Sequence, residues 1–108
     1  MQKTLTPKKK TSPDFIELTC YIGGYTPRKG FVTSWENMPE KLMLVVSELA
    51  EAMEDWRDDN KKHFKREIAD AFVRLFDIAY YTDMNVYQEI IIKMRCNETR
   101  PYRHGRKN

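Results

Sequence analysis

Apolar residues recur three and four positions apart along much of this chain, which is the spacing of an amphipathic helix. The clearest stripe follows Pro39, extends to about Asn60 and consists of Leu42, Val45, Val46, Leu49, Met53 and Trp56. No segment shows the alternation of apolar and polar residues that predicts a half-buried strand. We therefore predict a long helix here, with its apolar stripe packed against the rest of the domain.

A shorter helix is predicted before it. Ser12-Pro13-Asp14 combines a capping residue, a first-turn proline and an acid, which is typical of a helix start. Gly23-Gly24, followed by Pro27 and Gly30, predicts that this helix breaks and that a loop continues to about Asn37. Three aromatic residues in or near this loop could either cover a nucleobase or anchor the loop to the core, namely Tyr25, Phe31 and Trp35.

Two more helices are predicted towards the carboxyl end. The first covers about residues 61–81 and is apolar over most of its circumference, so it must be buried on several sides. The second begins near Val86 and ends before Pro101, because proline disfavours helical geometry in the residue before it. The predicted fold class is therefore all-α, a bundle of four helices.

Length and charge limit what this domain can be. A chain of 108 residues forms one compact domain and buries only about two-thirds of its unfolded surface, so association between chains is an expected source of further core. We divide it into a basic arm (1–11), a helical domain (12–100) and a basic tail (101–108). The basic ends and acidic middle suit a polyanion held by a metal ion, although basic ends are also typical of solvated tails.

The cysteines and the hydropathy indicate a compartment. Cys20 and Cys96 have no metal-ligand spacing, and without a signal peptide a single pair is expected to stay reduced. No stretch approaches the roughly 20 apolar residues that span a bilayer. We therefore expect a cytoplasmic protein that does not enter a membrane.

Carboxylates share faces on the second and third helices. Glu48, Glu51 and Asp55 fall within one narrow arc of the second helix, which taken alone is equally typical of a solvated surface. The third helix carries its charged groups in a similar arc although most of its surface is apolar; these groups are Glu67, Asp70, Arg74 and Asp77. Carboxylates on a buried helix are costly unless they are paired or bound to a cation. A salt-bridge network around Arg74 is the alternative to a metal site.

If the two helices pack antiparallel, four of these carboxylates can converge, namely Glu48, Glu51, Glu67 and Asp70. Such oxygen ligands suit Mg²⁺, with Mn²⁺ as the alternative, and a bound ion could neutralise a polyphosphate and activate a water molecule. The chain has no Gly-rich phosphate loop, so basic groups must hold the phosphates. Lys93, Asn97 and Arg100 line one face of the fourth helix, where they are either that group or a solvated surface.

Four short motifs follow one another in the sequence. They are Trp35-Glu-Asn-Met-Pro-Glu-Lys-Leu-Met, Ser47-Glu-Leu-Ala-Glu51, Glu67-Ile-Ala-Asp70 and Lys93-Met-Arg-Cys-Asn97-Glu-Thr-Arg100-Pro-Tyr-Arg-His-Gly105. Over about residues 12–107, this ordered set resembles the MazG-like branch of the all-α nucleoside triphosphate pyrophosphohydrolases. The resemblance implies a four-helix fold that assembles as a homodimer or homotetramer. It also implies hydrolysis of a nucleoside triphosphate between its α and β phosphates by metal-activated water, giving a monophosphate and pyrophosphate.

The resemblance assigns roles to individual residues. Those matching the family's metal ligands, and with them its catalytic centre, are Glu48, Glu51, Glu67 and Asp70. Those matching its triphosphate-binding group are Lys93, Asn97 and Arg100, with Tyr102, His104 and Lys107 as weaker candidates. Arg74 and Asp77 are expected to order the ligands. Ser47 stands where the family has a further glutamate, so it can hydrogen-bond a ligand water but adds no charge.

Two other functions compete with this one. A catalytically weak relative would bind metal and nucleotide and act as a regulator. A nucleic-acid-binding helical module would use Lys8, Lys9 and Lys10 and the arginine-rich tail, with affinity that falls steeply as salt rises. Two features count against nucleic-acid binding. They are the acidic residues of the second and third helices and the lack of a recognition-helix motif.

Overall fold

A computed structural model of the protein describes residues 14–102. In that range the chain forms four α-helices and one short 3₁₀ turn, and it contains no strand. The elements are α1 (Phe15–Tyr25), the 3₁₀ turn (Thr26–Lys29), α2 (Met38–Arg57), α3 (Lys61–Tyr81) and α4 (Val86–Glu98). The prediction of an all-α fold with four helices is confirmed. The predicted arm and all but two residues of the tail lie outside the described residues.

Helix α1 begins after Asp14, whose side chain accepts a hydrogen bond from the backbone N–H of Glu17. The predicted helix end and the connection to about Asn37 are confirmed, although the helix continues through both glycines to Tyr25 and residues 26–29 form a 3₁₀ turn. Gly23 has a packing role instead. A Cβ at this position would overlap the ring of Tyr80 on α3, so only glycine allows the two helices to approach this closely.

Helices α2 and α3 form the centre of the molecule and run antiparallel. Near their connection, Met53 of α2 lies beside Phe64 of α3, whereas Glu48, earlier in α2, meets Arg74, later in α3. The connection between them is only three residues long, and in it Asn60 caps α3 by accepting a hydrogen bond from the His63 N–H. This short turn requires the two helices to be neighbours.

Helix α1 crosses α3, and α4 attaches through α1. The rings of Phe15 and Phe76 lie 6.0 Å apart, and the Tyr81 hydroxyl donates a hydrogen bond of 3.0 Å to the Gly23 carbonyl. Burial is the main cause that raises the pKa of the Tyr81 phenol. The ring of Tyr87 on α4 lies 6.1 Å from the ring of Phe15, tilted by 43°.

The apolar stripe of α2 does not pack as the sequence predicts. The buried residues of α2 are Met38, Lys41, Glu48 and Ala52, whereas most of the stripe is exposed, with Trp56 at 68%. Helix α3 is likewise uncovered on one side, where Phe72 is 56% exposed. Within one chain, α2 is covered mainly on one side. The face that carries Lys41 and Glu48 lies on that side, so the apolar stripe stays largely uncovered.

Cys20 and Cys96 are both exposed and are not bonded to each other. None of the helices within residues 14–102 combines the length and apolar composition needed to cross a bilayer.

Candidate metal centre

Three of the four predicted metal ligands come together between α2 and α3. Glu48, Glu67 and Asp70 each offer one carboxylate oxygen, and these oxygens all lie within 4.8 Å of one another. A divalent ion holds oxygen ligands at about 2.0–2.6 Å, so two ligands of one ion are separated by up to about 5 Å. The spacing and the chemistry of these donors therefore fit Mg²⁺ or Mn²⁺.

Glu51 lies at the edge of this cluster. It is exposed, but its carboxylate is close enough to act on Glu67. The pKa of Glu67 is raised from 4.5 to about 7, first because its protonated carboxyl can hydrogen-bond to Glu48 and then because it can hydrogen-bond to Glu51. Desolvation and repulsion by the same two carboxylates add to this shift. The cluster therefore favours an added positive charge, either a proton or a metal ion.

Arg74 supplies part of that charge. Its Nε donates to an oxygen of Glu48 at 3.1 Å, and the Glu48 side chain is almost fully buried. One guanidinium beside the carboxylates of Glu48, Glu51, Glu67 and Asp70 leaves an excess of negative charge. The salt bridge and the metal site are thus compatible, because Arg74 orients Glu48 and leaves the other carboxylates without a cation among the described residues.

The cluster opens into a cavity of about 590 Å³ between α2, α3 and the segment after α1. Carboxylates of Glu48 and Asp70 lie on one part of its wall. The remaining wall is formed by aromatic, apolar and basic groups together with Asp77; these residues are Tyr25, Thr26, Lys29, Phe31, Lys41, Leu44, Val73 and Arg74. A space of this size and mixed lining is typical of a small-molecule site.

Asp77 holds the segment that forms this wall. Both of its carboxylate oxygens are used, since one accepts from the Thr26 hydroxyl and the other from the Thr33 hydroxyl, at 2.5 Å each. All three residues are buried. These two hydrogen bonds connect α3 to residues 26–33 and place Phe31 at the cavity. The geometry thus gives Asp77 the role of ordering a loop, where the sequence predicted that it orders the metal ligands.

The other predicted residues lie away from the cavity. Ser47 is exposed on α2 and does not line it. Lys93 and Asn97 lie on α4, and Arg100 follows that helix; none of the three lines the cavity of the same chain, nor does Tyr102. Asn97 has a buried side-chain oxygen without a hydrogen-bond partner among residues 14–102. His104 and Lys107 lie outside the described residues.

Sequence reasoning missed Lys41, Thr26 and Thr33. One signal for Lys41 was present, since it precedes Glu48 by seven residues, which is two helical turns, and so lies on the same face. The two threonines have no such signal, because they reach Asp77 only through the path of the loop.

Comparisons with protein-family models, with curated proteins and with solved structures found no match to this chain. The MazG-like assignment therefore remains a prediction from the motifs.

Proposed function

We propose that the chain is a metal-dependent nucleoside triphosphate pyrophosphohydrolase that cleaves its substrate between the α and β phosphates. The observation that carries this proposal is the group of three carboxylate oxygens within 4.8 Å of one another. Two of the three residues, Glu48 and Asp70, line a cavity that also contains basic and aromatic side chains. The ordered motifs of the sequence favour the same reaction. We further propose a role in controlling or cleaning the nucleotide pool of the cytoplasm.

We assign separate roles to the carboxylates, to Arg74 and to the aromatic residues of the cavity. A bound Mg²⁺ would offset phosphate charge and lower the pKa of a coordinated water molecule. Glu48, Glu67 and Asp70 would hold that ion, and Arg74 keeps the Glu48 carboxylate oriented. Phe31 and Tyr25 offer aromatic faces on which a base could stack.

We also propose that the protein acts as a homodimer or homotetramer. The exposed apolar residues of α2 and α3 support this, since a surface of this kind usually marks an interface. An apolar groove of about 330 Å³ between the two helices belongs to the same surface and is lined by Leu49, Ala52, Met53, Trp56, Phe64 and Ile68. In such an assembly, Lys93, Asn97 and Arg100 of one subunit could complete the cavity of another.

The reaction can be tested with a panel of canonical and modified nucleoside triphosphates, each with Mg²⁺, Mn²⁺ or EDTA. We expect monophosphate and pyrophosphate to form only with a divalent ion. Glu48→Gln and Asp70→Asn should reduce kcat at least 100-fold, while Glu40→Gln, an exposed carboxylate on the same helix, should retain activity. Full activity of either site variant would contradict the metal assignment.

The assembly has its own test. Light scattering during size-exclusion chromatography should give at least twice the chain mass of 12.9 kDa. Leu49→Lys should shift the protein towards the monomer, whereas Gln88→Lys on the exposed surface of α4 should not. A wild-type monomer at the concentration used for activity would contradict the proposal.

Ser47 favours a second function, that of a regulator that binds metal and nucleotide with little turnover. A hydroxyl in place of a carboxylate removes one negative charge from the motif. The same panel distinguishes the two functions, because the regulator would bind Mn²⁺ and nucleotide but release no pyrophosphate from any substrate.

A further inference from the structure

Lys41 is a buried lysine that has no carboxylate partner in the described part of the chain. It lies in the first turns of α2, is only 8% exposed and lines the cavity. Among residues 14–102, no carboxylate lies within 4.0 Å of its ammonium group. The ammonium group lies near the ring of Phe31, whose centroid is 6.0 Å from Nζ. Burial of an unpaired ammonium is unfavourable, so this position calls for an anion.

The one carboxylate at this end of the cavity has other partners. Asp77 lies two turns beyond Asp70 on α3, just as Lys41 lies two turns before Glu48 on the antiparallel α2. Both oxygens of Asp77 accept hydrogen bonds from threonine hydroxyls. Asp77 therefore fixes the loop and does not pair with the Lys41 ammonium.

Two other cations line the cavity. Lys29 lies beside Tyr25. Arg74 lies between the two ends, since it donates to Glu48 and its guanidinium carbon is 5.8 Å from the centroid of Phe31. The cavity is thus acidic around Glu48 and basic around Lys41. Seven helical residues separate these two positions by about 10 Å along the axis of α2, which leaves room for a chain of phosphates between them.

We propose that Lys41, assisted by Lys29, binds a phosphate group of the substrate at the end of the cavity opposite Glu48 and Asp70. This subsite belongs to the same chain as the carboxylates and is separate from the basic residues of α4. That the phosphate belongs to a nucleoside triphosphate rests on the proposed function. The binding of a polyphosphate at Lys41 is independent of the proposed function, because it can be measured without turnover.

The probe is sodium tripolyphosphate, titrated by calorimetry into the full chain, once with Mg²⁺ and once with EDTA. We expect Lys41→Met to weaken its binding at least tenfold in whichever condition the wild type binds. Lys62→Met, an exposed lysine of α3 outside the cavity, should change it less than twofold. Lys41→Arg, which keeps the charge, should restore binding to within about threefold.

Two controls keep the test decisive. Lys41→Met removes an unpaired buried charge, so its melting temperature should equal or exceed that of the wild type; if it fails to fold, Lys41→Gln replaces it in the same titration. Mn²⁺ affinity should change less than twofold in either variant. A loss of tripolyphosphate binding below tenfold, a larger loss in Lys93→Met, or no binding by the wild type in either condition would overturn the proposal. Absence of nucleotide hydrolysis would contradict only the proposed function.

Discussion

Binding of a divalent ion to the carboxylate cluster should release a proton from Glu67. Its pKa of about 7 means that about half of the molecules carry this proton at pH 7, about nine-tenths at pH 6 and about one-tenth at pH 8. An ion that needs the ionised carboxylate must displace the proton first. The apparent dissociation constant should therefore be about tenfold higher at pH 6 than at pH 8.

The same pKa determines the stability of the metal-free protein. A carboxyl whose pKa is raised on folding binds more protons in the folded than in the unfolded state, so stability falls as the pH rises. For Glu67 this loss occurs between pH 4.5 and about 7. A bound ion favours the ionised form of Glu67, so the stabilisation by Mn²⁺ should be larger at pH 8 than at pH 5.5.

Calorimetric titration with Mn²⁺ at pH 6, 7 and 8 tests this linkage. Two buffers with different ionisation enthalpies at pH 6 should report nearly one proton released for each ion bound. Glu67→Gln should bind Mn²⁺ more weakly and with the same affinity at pH 6 and pH 8. Equal wild-type affinities at these two pH values, or a tenfold dependence that persists in Glu67→Gln, would refute the assignment to Glu67.

Two further predictions concern packing around the cavity. Thr33→Val removes a hydroxyl that donates to the buried Asp77 carboxylate, and we expect a loss of about 2 kcal/mol in the free energy of unfolding and an increased KM. Urea denaturation measures the free energy of unfolding. Thr33→Ser, which keeps the hydroxyl, should retain most of the stability and a KM close to that of the wild type. A Thr33→Val variant with unchanged stability and KM would contradict the role of this contact. Gly23→Ala should cost at least about 3 kcal/mol because of overlap with Tyr80, whereas Gly24→Ala, with open space around it, should be neutral or stabilising by about 0.5–1 kcal/mol. Similar stabilities of the two alanine variants would show that the helices can separate at this point.

Several features of the fold follow from local signals. Helix α3 begins at Lys61 and ends at Tyr81, as its apolar periodicity predicts. The periodicity of α2 also predicts a helix, although that helix ends at Arg57 instead of continuing to about Asn60. Helical spacing further placed the carboxylates on one face of each helix, because a period of 3.6 residues is a property of the backbone alone.

Other features depend on which surfaces meet. The apolar stripe of α2 predicted the amphipathic helix but not the face that is buried in a single chain, because a helix with one apolar and one charged face can pack through either when a partner compensates the charges. Here Arg74 pairs with Glu48, and that pairing comes from another helix. In the sequence, Gly23 indicates a helix break. The structure shows that glycine is needed there because the ring of Tyr80 packs directly against its Cα.

The sequence by itself therefore determined the helices, their class of fold and the residue types that a metal centre needs. Only the tertiary structure decided which of these residues share a cavity. Asp77 accepts hydrogen bonds from Thr26 and Thr33, which are more than 40 positions away in the sequence. With both of its oxygens occupied in this way, Asp77 does not pair with Lys41. Contacts at such separation depend on how whole helices pack and where a loop returns, and neither is encoded in the spacing of residues along one helix.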